Sequence, residues 1–242
     1  MPRKVLVVAH RGASAVAPEN TMPAFEEAVR AGADFVETDV HRTRDGALVC
    51  IHDATLNRTT NGDGYVSEKT VDYVRSLDAG SWFSGRYAGV QVPLFEEFLD
   101  YIASTSAGVF VEVKVPGIEE EVVGRILQWG LEERAVVLSG YWSVLRRVKE
   151  LDPGIATLAD LPSPSPQSIS SAVKVANIVS IHAALFEEEH ALQAHRRGLL
   201  VNVWGVNGCE DALRVVELGA DFVTVDNPGA IVECLRARGL HA

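Results

Sequence analysis

Glu37 and Asp39 stand two residues apart inside the apolar run "ADFVETDV", and a second apolar run, "ALVCIHD", ends on His52 and Asp53. Charge inside a run that reads as a buried strand is costly unless something compensates it. Residues i and i+2 of a strand face the same way, so the two carboxylates project together. Glu112 and Lys114 have the same spacing in "GVFVEVK". On adjacent strands, Glu37, Asp39 and Glu112 would meet. Left bare they would repel one another and hold protons more tightly. A hard divalent cation relieves that. A carboxylate set with open positions suits Mg2+ or Ca2+, whereas zinc more often recruits His or Cys. His10 and Arg11 end the first apolar run. Two histidines, one metal, an arginine and a lysine, with no serine or cysteine in a nucleophile elbow, point to phosphoryl chemistry on an ester. The metal, Arg11 and Lys114 would neutralise phosphate oxygens, and His10 and His52 would act as general base and acid.

The elements that must position these groups alternate along the chain. The β-rich runs are "KVLVVAH", "DFVETDV", "GVFVEVK", "AVVLSG", "GIATLAD", "NIVSIHA", "LLVNVWG" and "DFVTVDN". Helical patterns lie between them, most ending in Gly, the expected residue just past a helix. Near-continuous apolar strands predict a parallel sheet covered by helices. Eight such units in 242 residues favour a (β/α)8 TIM barrel, read as a single domain over residues 1–242. Two segments break the rhythm. Residues at about 53–93, rich in Gly, Asn and Thr, read as an insertion after the second βα region, and a connection that long is usually functional. "LPSPSPQS", residues 161–168, reads as a Pro/Ser loop. In such a barrel the active face is built at the C-terminal strand ends. His10, Glu37, Asp39, His52, Glu112, Lys114, His182, Trp204 and Asp226 all fall there.

Each residue also has a plain structural reading. Glu37 and Asp39 could pair with Arg42 or Arg44, and Glu112 with Lys114. His10 could be a satisfied histidine, Asp226 a cap for the helix near "NPGAIV", and Trp204 a lid on the core. Independent structural roles do not explain why all of them collect at one end of successive strands.

Composition narrows the class. Hydrophobic residues make up 47% of the chain, enough for a full core. The formal charge is −11 without a block of like charge, which argues against a nucleic-acid partner. Cys50, Cys209 and Cys234 form no CxxC and no even set, so no disulfide framework is expected, in keeping with a reducing compartment. "MPRKVLVVAHRGAS" reads as a first strand rather than a signal peptide, and no stretch has the length of a membrane span. A cytoplasmic location is expected.

The motifs carry a resemblance. "AHRGASAVAPENTMPAFEEAVRAGADFVETDVHRTRDGALVCIHDATLNRTTNGDG", "SLDAGSWFSGRYAGVQVP", "VEVK" and "ADFVTVDNP" together resemble the glycerophosphodiester phosphodiesterase family over essentially the whole chain. The resemblance implies a (β/α)8 barrel with a small insertion and metal-dependent hydrolysis of small glycerophosphodiesters to an alcohol and sn-glycerol 3-phosphate. It implies His10 and His52 as the catalytic pair and Glu37, Asp39 and Glu112 as ligands of Mg2+ or Ca2+. Arg11, Lys114 and Trp204 are the expected phosphate and substrate contacts, with Glu19 and Asn20 in a supporting loop. The chain departs from the family pattern at Val113, Val225, Gly205 (often Thr) and Gly140-Tyr141-Trp142; none touches the expected ligands or histidines, and only the last bears on substrate choice. The rival readings are lysophospholipase D-type activity, a cyclising lyase, and a non-catalytic phosphoester-binding barrel.

Overall fold

The computed structural model describes residues 4–241; residues 1–3, the basic start of the sequence, and residue 242 lie outside it. Strands β1 (Leu6–Ala9), β2 (Phe35–Arg42), β4 (Gly108–Val113), β5 (Ala135–Ser139), β6 (Ala156–Asp160), β7 (Ile178–His182), β8 (Leu200–Trp204) and β9 (Phe222–Val225) run parallel in that order. Pairing of β1 with both β9 and β2 closes the ring. These are the eight expected strands. A short ninth strand, β3 (Leu48–Cys50), folds back antiparallel on β2 and carries the "ALVC" run.

Helices wrap the ring: α1 (Met22–Arg30), α3 (Phe95–Ala103), α4 (Glu119–Gln128), α5 (Trp142–Leu151), α6 (Pro166–Ala172), α7 (Glu188–His195), α8 (Gly208–Glu217) and α9 (Pro228–Arg236). A further short helix, α2 (Val71–Arg75), lies in the segment between β3 and α3. α6 corrects the reading of residues 161–168 as loop throughout. Ser165 caps the helix by accepting from the Ser168 N–H, and Pro166 occupies its first turn, where a missing N–H costs nothing.

Strand alternation sends side chains alternately into the barrel and out beneath the helices. Inside, Phe35, Phe110 and Phe222 meet edge-on or tilted with centroids 5.1–5.8 Å apart, beside Val8, Leu158 and Ile178. This plug is the floor under the mouth. The segment between β3 and α3 has its own small core of Val49, Ile51, Leu56, Val66, Val74 and Leu77.

The cysteine expectation is overturned. Cys209, in the first turn of α8, is disulfide-bonded to Cys234 of α9, with Cα atoms 5.8 Å apart. They lie 25 residues apart in sequence, but α8 and α9 pack side by side. The odd third residue, Cys50, is buried and free. With this bridge present, cysteine usage does not favour a reducing compartment. Among the described residues, no helix is long and apolar enough to cross a membrane.

Candidate active site

The C-terminal strand ends surround a cavity of about 210 Å³. Seven of the eight predicted site residues line it: His10, Arg11, Glu37, His52, Glu112, Lys114 and Trp204. The eighth, Asp39, is fully buried behind them.

The carboxylates meet because β2 and β4 are paired in register, Asp39 opposite Glu112. Glu37, Asp39 and Glu112 each offer an oxygen within 4.8 Å of the others. Burial pushes Glu37 well up from the ordinary carboxylate range, and Asp39 and Glu112 push it further. Burial and Asp39 likewise raise Glu112 to about 7. Asp39 goes the other way. Burial alone would raise it, but Lys114 and Arg11 outweigh burial and hold it low. Lys114 Nζ stands 2.9 Å from Glu112 and 3.4 Å from Asp39, so its pair with Glu112 is not self-contained. Arg42 is engaged elsewhere, with Glu121, so the structural pairing of Glu37 and Asp39 with that arginine is not made.

Asn20 fixes Asp39. Its Nδ2 donates to Asp39 Oδ2 at 2.7 Å, while its Oδ1 accepts from the Asp39 N–H and the Thr38 hydroxyl. Asp39 Oδ1 is left buried without a hydrogen-bond partner. A buried carboxylate oxygen without a hydrogen-bond partner, faced by the Lys114 ammonium at 3.4 Å and set between two further carboxylates, suits a hard cation, so the donor set fits a hard divalent ion. Asn20 and Arg11 both hold left-handed backbones, at φ 54° and 55°, which non-glycine residues seldom adopt away from functional sites. That turn points the Arg11 N–H at Glu37 Oε2, 2.6 Å away. Gly12, at φ 79°, permits the turn because a Cβ there would sit 2.6 Å from the Ala24 backbone.

Each histidine is held through Nδ1. His10 Nδ1 lies 2.7 Å from Asp226 Oδ1, and His52 Nδ1 lies 2.7 Å from Asp53 Oδ1. Hydrogen bonding to His10 lowers Asp226, and hydrogen bonding to Arg58 lowers Asp53, so both partners are carboxylates that can only accept. Nδ1 therefore carries the proton in each ring, and Nε2 is left free of that partner. Burial lowers the His52 pKa despite the opposing pull of Asp39 and Asp53. Asp226 is not the helix cap, since Asn227 takes that place by accepting from the Ala230 N–H.

Arg58 was not anticipated. It donates to Asp53 through Nε and Nη2 at 2.8 and 2.9 Å, and to Glu19 through Nη1 and Nη2 at 2.8 Å. Glu19 in turn accepts from Arg11 Nη1 at 2.9 Å. One guanidinium thus ties the orientation of His52 to that of Arg11. Its only signal was a lone arginine among Thr and Asn in the segment after His52. Asp160, Ser180, Asn202 and Thr224, also not anticipated, line the other wall. Trp204, 40% exposed, stands edge-on to His182 at 4.5 Å between ring centres, so it is a rim residue rather than a lid on the core. Gly205, at φ 72°, lets the chain pass His182, whose Nε2 would lie 2.7 Å from a Cβ there.

Comparison with known proteins agrees with this geometry. Residues 10–230 match the Glycerophosphoryl diester phosphodiesterase family. The chain is 34% identical over 247 residues to a glycerophosphodiester phosphodiesterase of Caldanaerobacter subterraneus, covering 98% of this chain and all of the relative. Among solved structures it resembles a glycerophosphodiester phosphodiesterase of Agrobacterium tumefaciens (30% identity, TM-score 0.85, 94% of this chain and 98% of that one). It also resembles a phosphodiesterase of Oleispira antarctica in complex with the product sn-glycerol-3-phosphate (28% identity, TM-score 0.88, 96% of each chain). The chain belongs to the Glycerophosphoryl diester phosphodiesterase family.

Proposed function

We propose that this member of the glycerophosphodiester phosphodiesterase family hydrolyses glycerophosphodiesters to an alcohol and sn-glycerol 3-phosphate, using Mg2+ or Ca2+ held by Glu37, Asp39 and Glu112. The observation that carries the reading is the meeting of Glu37, Glu112, two histidines, Arg11 and Lys114 on one cavity, with Asp39 buried behind them within reach of both carboxylates. The names of the relatives and the product bound in the Oleispira structure support the substrate class.

When bound, the cation supplies positive charge to a phosphate oxygen. Arg11 and Lys114 supply the rest, and both are held charged by neighbouring carboxylates although burial opposes it. His52, whose proton affinity burial reduces, takes a proton from the attacking oxygen, either of water or of the glycerol hydroxyl next to the phosphate; in the second case loss of the alcohol leaves a cyclic phosphate, which water then opens with the two histidines in exchanged roles. His10, doubly protonated, gives its Nε2 proton to the leaving alcohol oxygen, so base and acid are exchanged relative to the order expected from the sequence. Asp53 holds His52 with its proton on Nδ1 and Nε2 open to accept, and Asp226 holds the Nδ1–H of the doubly protonated His10 and offsets its charge. Trp204 walls the rim against the substrate. In this reading residues 1–242 are one catalytic domain, and the insertion at about 53–93 contributes Asp53 and Arg58 to the site. A cytoplasmic location belongs to the same proposal and has to accommodate the Cys209–Cys234 bridge.

The test is product identification. Metal-stripped protein is given glycerophosphocholine with Mg2+ or Ca2+ added back. The expected products are choline and sn-glycerol 3-phosphate, formed only with metal. A cyclic phosphate as final product would move the assignment to a lyase, and binding without turnover would move it to a binding barrel.

A further inference from the structure

The wall of the cavity formed by β6 to β9 contains an acidic group that the proposed chemistry does not use. Asp160 ends β6, four strands from β1 in either direction round the ring, so it faces His10 across the cavity. Its neighbours form a relay of donors. The Thr224 hydroxyl donates to Asn202 Oδ1 at 2.8 Å, and Asn202 Nδ2 donates to Ser180 Oγ at 3.0 Å. Ser180 is the register partner of Asp160 on the neighbouring strand; burial raises the Asp160 pKa, and hydrogen bonding to Ser180 pulls it back down. Ser180, Asn202 and Thr224 are buried and linked to one another by the Thr224–Asn202 and Asn202–Ser180 hydrogen bonds. Asp160 is the acceptor end of the relay. Lys114 acts on it across the cavity, but no described cation forms an ion pair with it.

A carboxylate so placed has lone pairs left over, and only a hydrogen-bond donor can use them. It repels a phosphate group, which is driven toward Arg11, Lys114 and the carboxylate cluster on the far wall. Asp160 also sits deep. It pairs in register with Ser180, and Ser180 with Asn202, which lies two residues below the rim residue Trp204 on the same strand. The inner end of the cavity suits the part common to all substrates of the class, and the open rim suits the part that varies.

We propose that Asp160 is a specificity-determining residue that accepts hydrogen bonds from the hydroxyl groups of the substrate's glycerol arm. The proposal rests on the glycerophosphodiester reading and deepens it. The site would select phosphoesters bearing a vicinal diol over otherwise equal ones without it. Burial, which raises the Asp160 pKa, strips water from the carboxylate and strengthens bonds to a ligand hydroxyl.

The test is calorimetric binding, with Mg2+ present, of sn-glycerol 3-phosphate and of propyl phosphate, which has the same chain and no hydroxyls. Wild type is expected to prefer the first by about 10- to 100-fold, the range for one or two hydrogen bonds to a charged group. Asp160→Leu should abolish that preference and leave propyl phosphate within about 3-fold. Asp160→Asn, which keeps the shape, should reduce the preference by at least about 5-fold and decides the matter if the leucine variant does not fold. Absence of a preference in wild type, or its survival in both variants, overturns the proposal. So does equal weakening of both ligands with a lowered melting temperature, which marks a structural role. Weakened phosphocholine binding with the glycerol preference intact would place Asp160 on the alcohol arm instead. Wild type that shows the preference but fails to cleave glycerophosphocholine would keep the subsite and reject the hydrolase. Cleavage by wild type with the preference intact in the variants would do the reverse.

Discussion

Among the described residues, histidine–aspartate pairs of nearly equal length occur at both ends of the barrel. At the mouth, His10–Asp226 and His52–Asp53 are each 2.7 Å long; at the base, His241–Asp34 and His195–Asp221 are each 2.8 Å. The base aspartates also bind strands, since Asp34 accepts from the Val7 N–H and Asp221 from the Val201 N–H. Exposure does not separate them, since His195 at the base is 29% exposed and His241 2%, against 32% and 31% for His10 and His52; what differs is that the mouth histidines face the cavity. The ring atoms differ too. The base pairs use Nε2, and the mouth pairs use Nδ1, which leaves the outer nitrogen available. The pair itself therefore does not mark catalysis. What the rest of the ring and the rest of the carboxylate face decides the role.

That contrast can be broken by mutation. The largest effect is expected at the mouth. His10→Ala or His52→Ala should lower kcat on glycerophosphocholine by about 10²–10⁴-fold, with an unchanged melting temperature. Near-normal turnover in either variant would remove that residue from the mechanism. At the base the outcome should invert. Asp34→Ala leaves the Val7 N–H and His241 without their acceptor, so denaturant titration should show a loss of about 1–3 kcal/mol, while kcat of the folded fraction stays within a factor of two. A smaller effect is expected between the two. Arg58→Lys keeps charge but loses the two-sided fork to Asp53 and Glu19, and should cost about 10-fold in kcat and shift the pH profile through His52. A shift in melting temperature with no change in the pH profile would make Arg58 merely structural.

The smallest effect is a pH trend. Glu112 has an ordinary value of 4.5 and a folded value of about 7, so the folded metal-free protein binds more protons than the unfolded chain between those limits. Stability of the metal-free protein should therefore fall as pH rises from about 4.5 to about 7. Added Mg2+ should raise the melting temperature more at pH 8 than at pH 5.5. Equal stabilisation at both would contradict the assignment of Glu112 as a ligand.

Much of this was legible in the sequence, for identifiable reasons. Near-continuous apolar runs and Gly punctuation mark all eight barrel strands, and strand geometry alone puts Glu37 with Asp39 and Glu112 with Lys114 on common faces. Local signals carry that far. α6 was obscured because its Ser- and Pro-rich sequence looks like loop, although Ser165-Pro166 is a helix start. Arg58 could not be placed because its partner Glu19 lies 39 residues away, across the mouth. Asp160 ends a strand that the sequence marks, but its place on the cavity wall beside Ser180, Asn202 and Thr224 depends on three later strands. The Cys209–Cys234 bridge depends on which helices are neighbours, which cysteine spacing does not encode.

The central claim is that the buried carboxylates at the mouth are a cation site rather than a structural ion-pair network. Calorimetric titration of metal-stripped protein with Mg2+ and with Ca2+, alongside Asp39→Asn, tests it most directly. The account predicts one site, lost or severely weakened in Asp39→Asn, whose affinity falls as pH is lowered through about 7, where protons compete for Glu112. Unchanged binding in Asp39→Asn, or no binding in wild type together with full activity in EDTA, would contradict it.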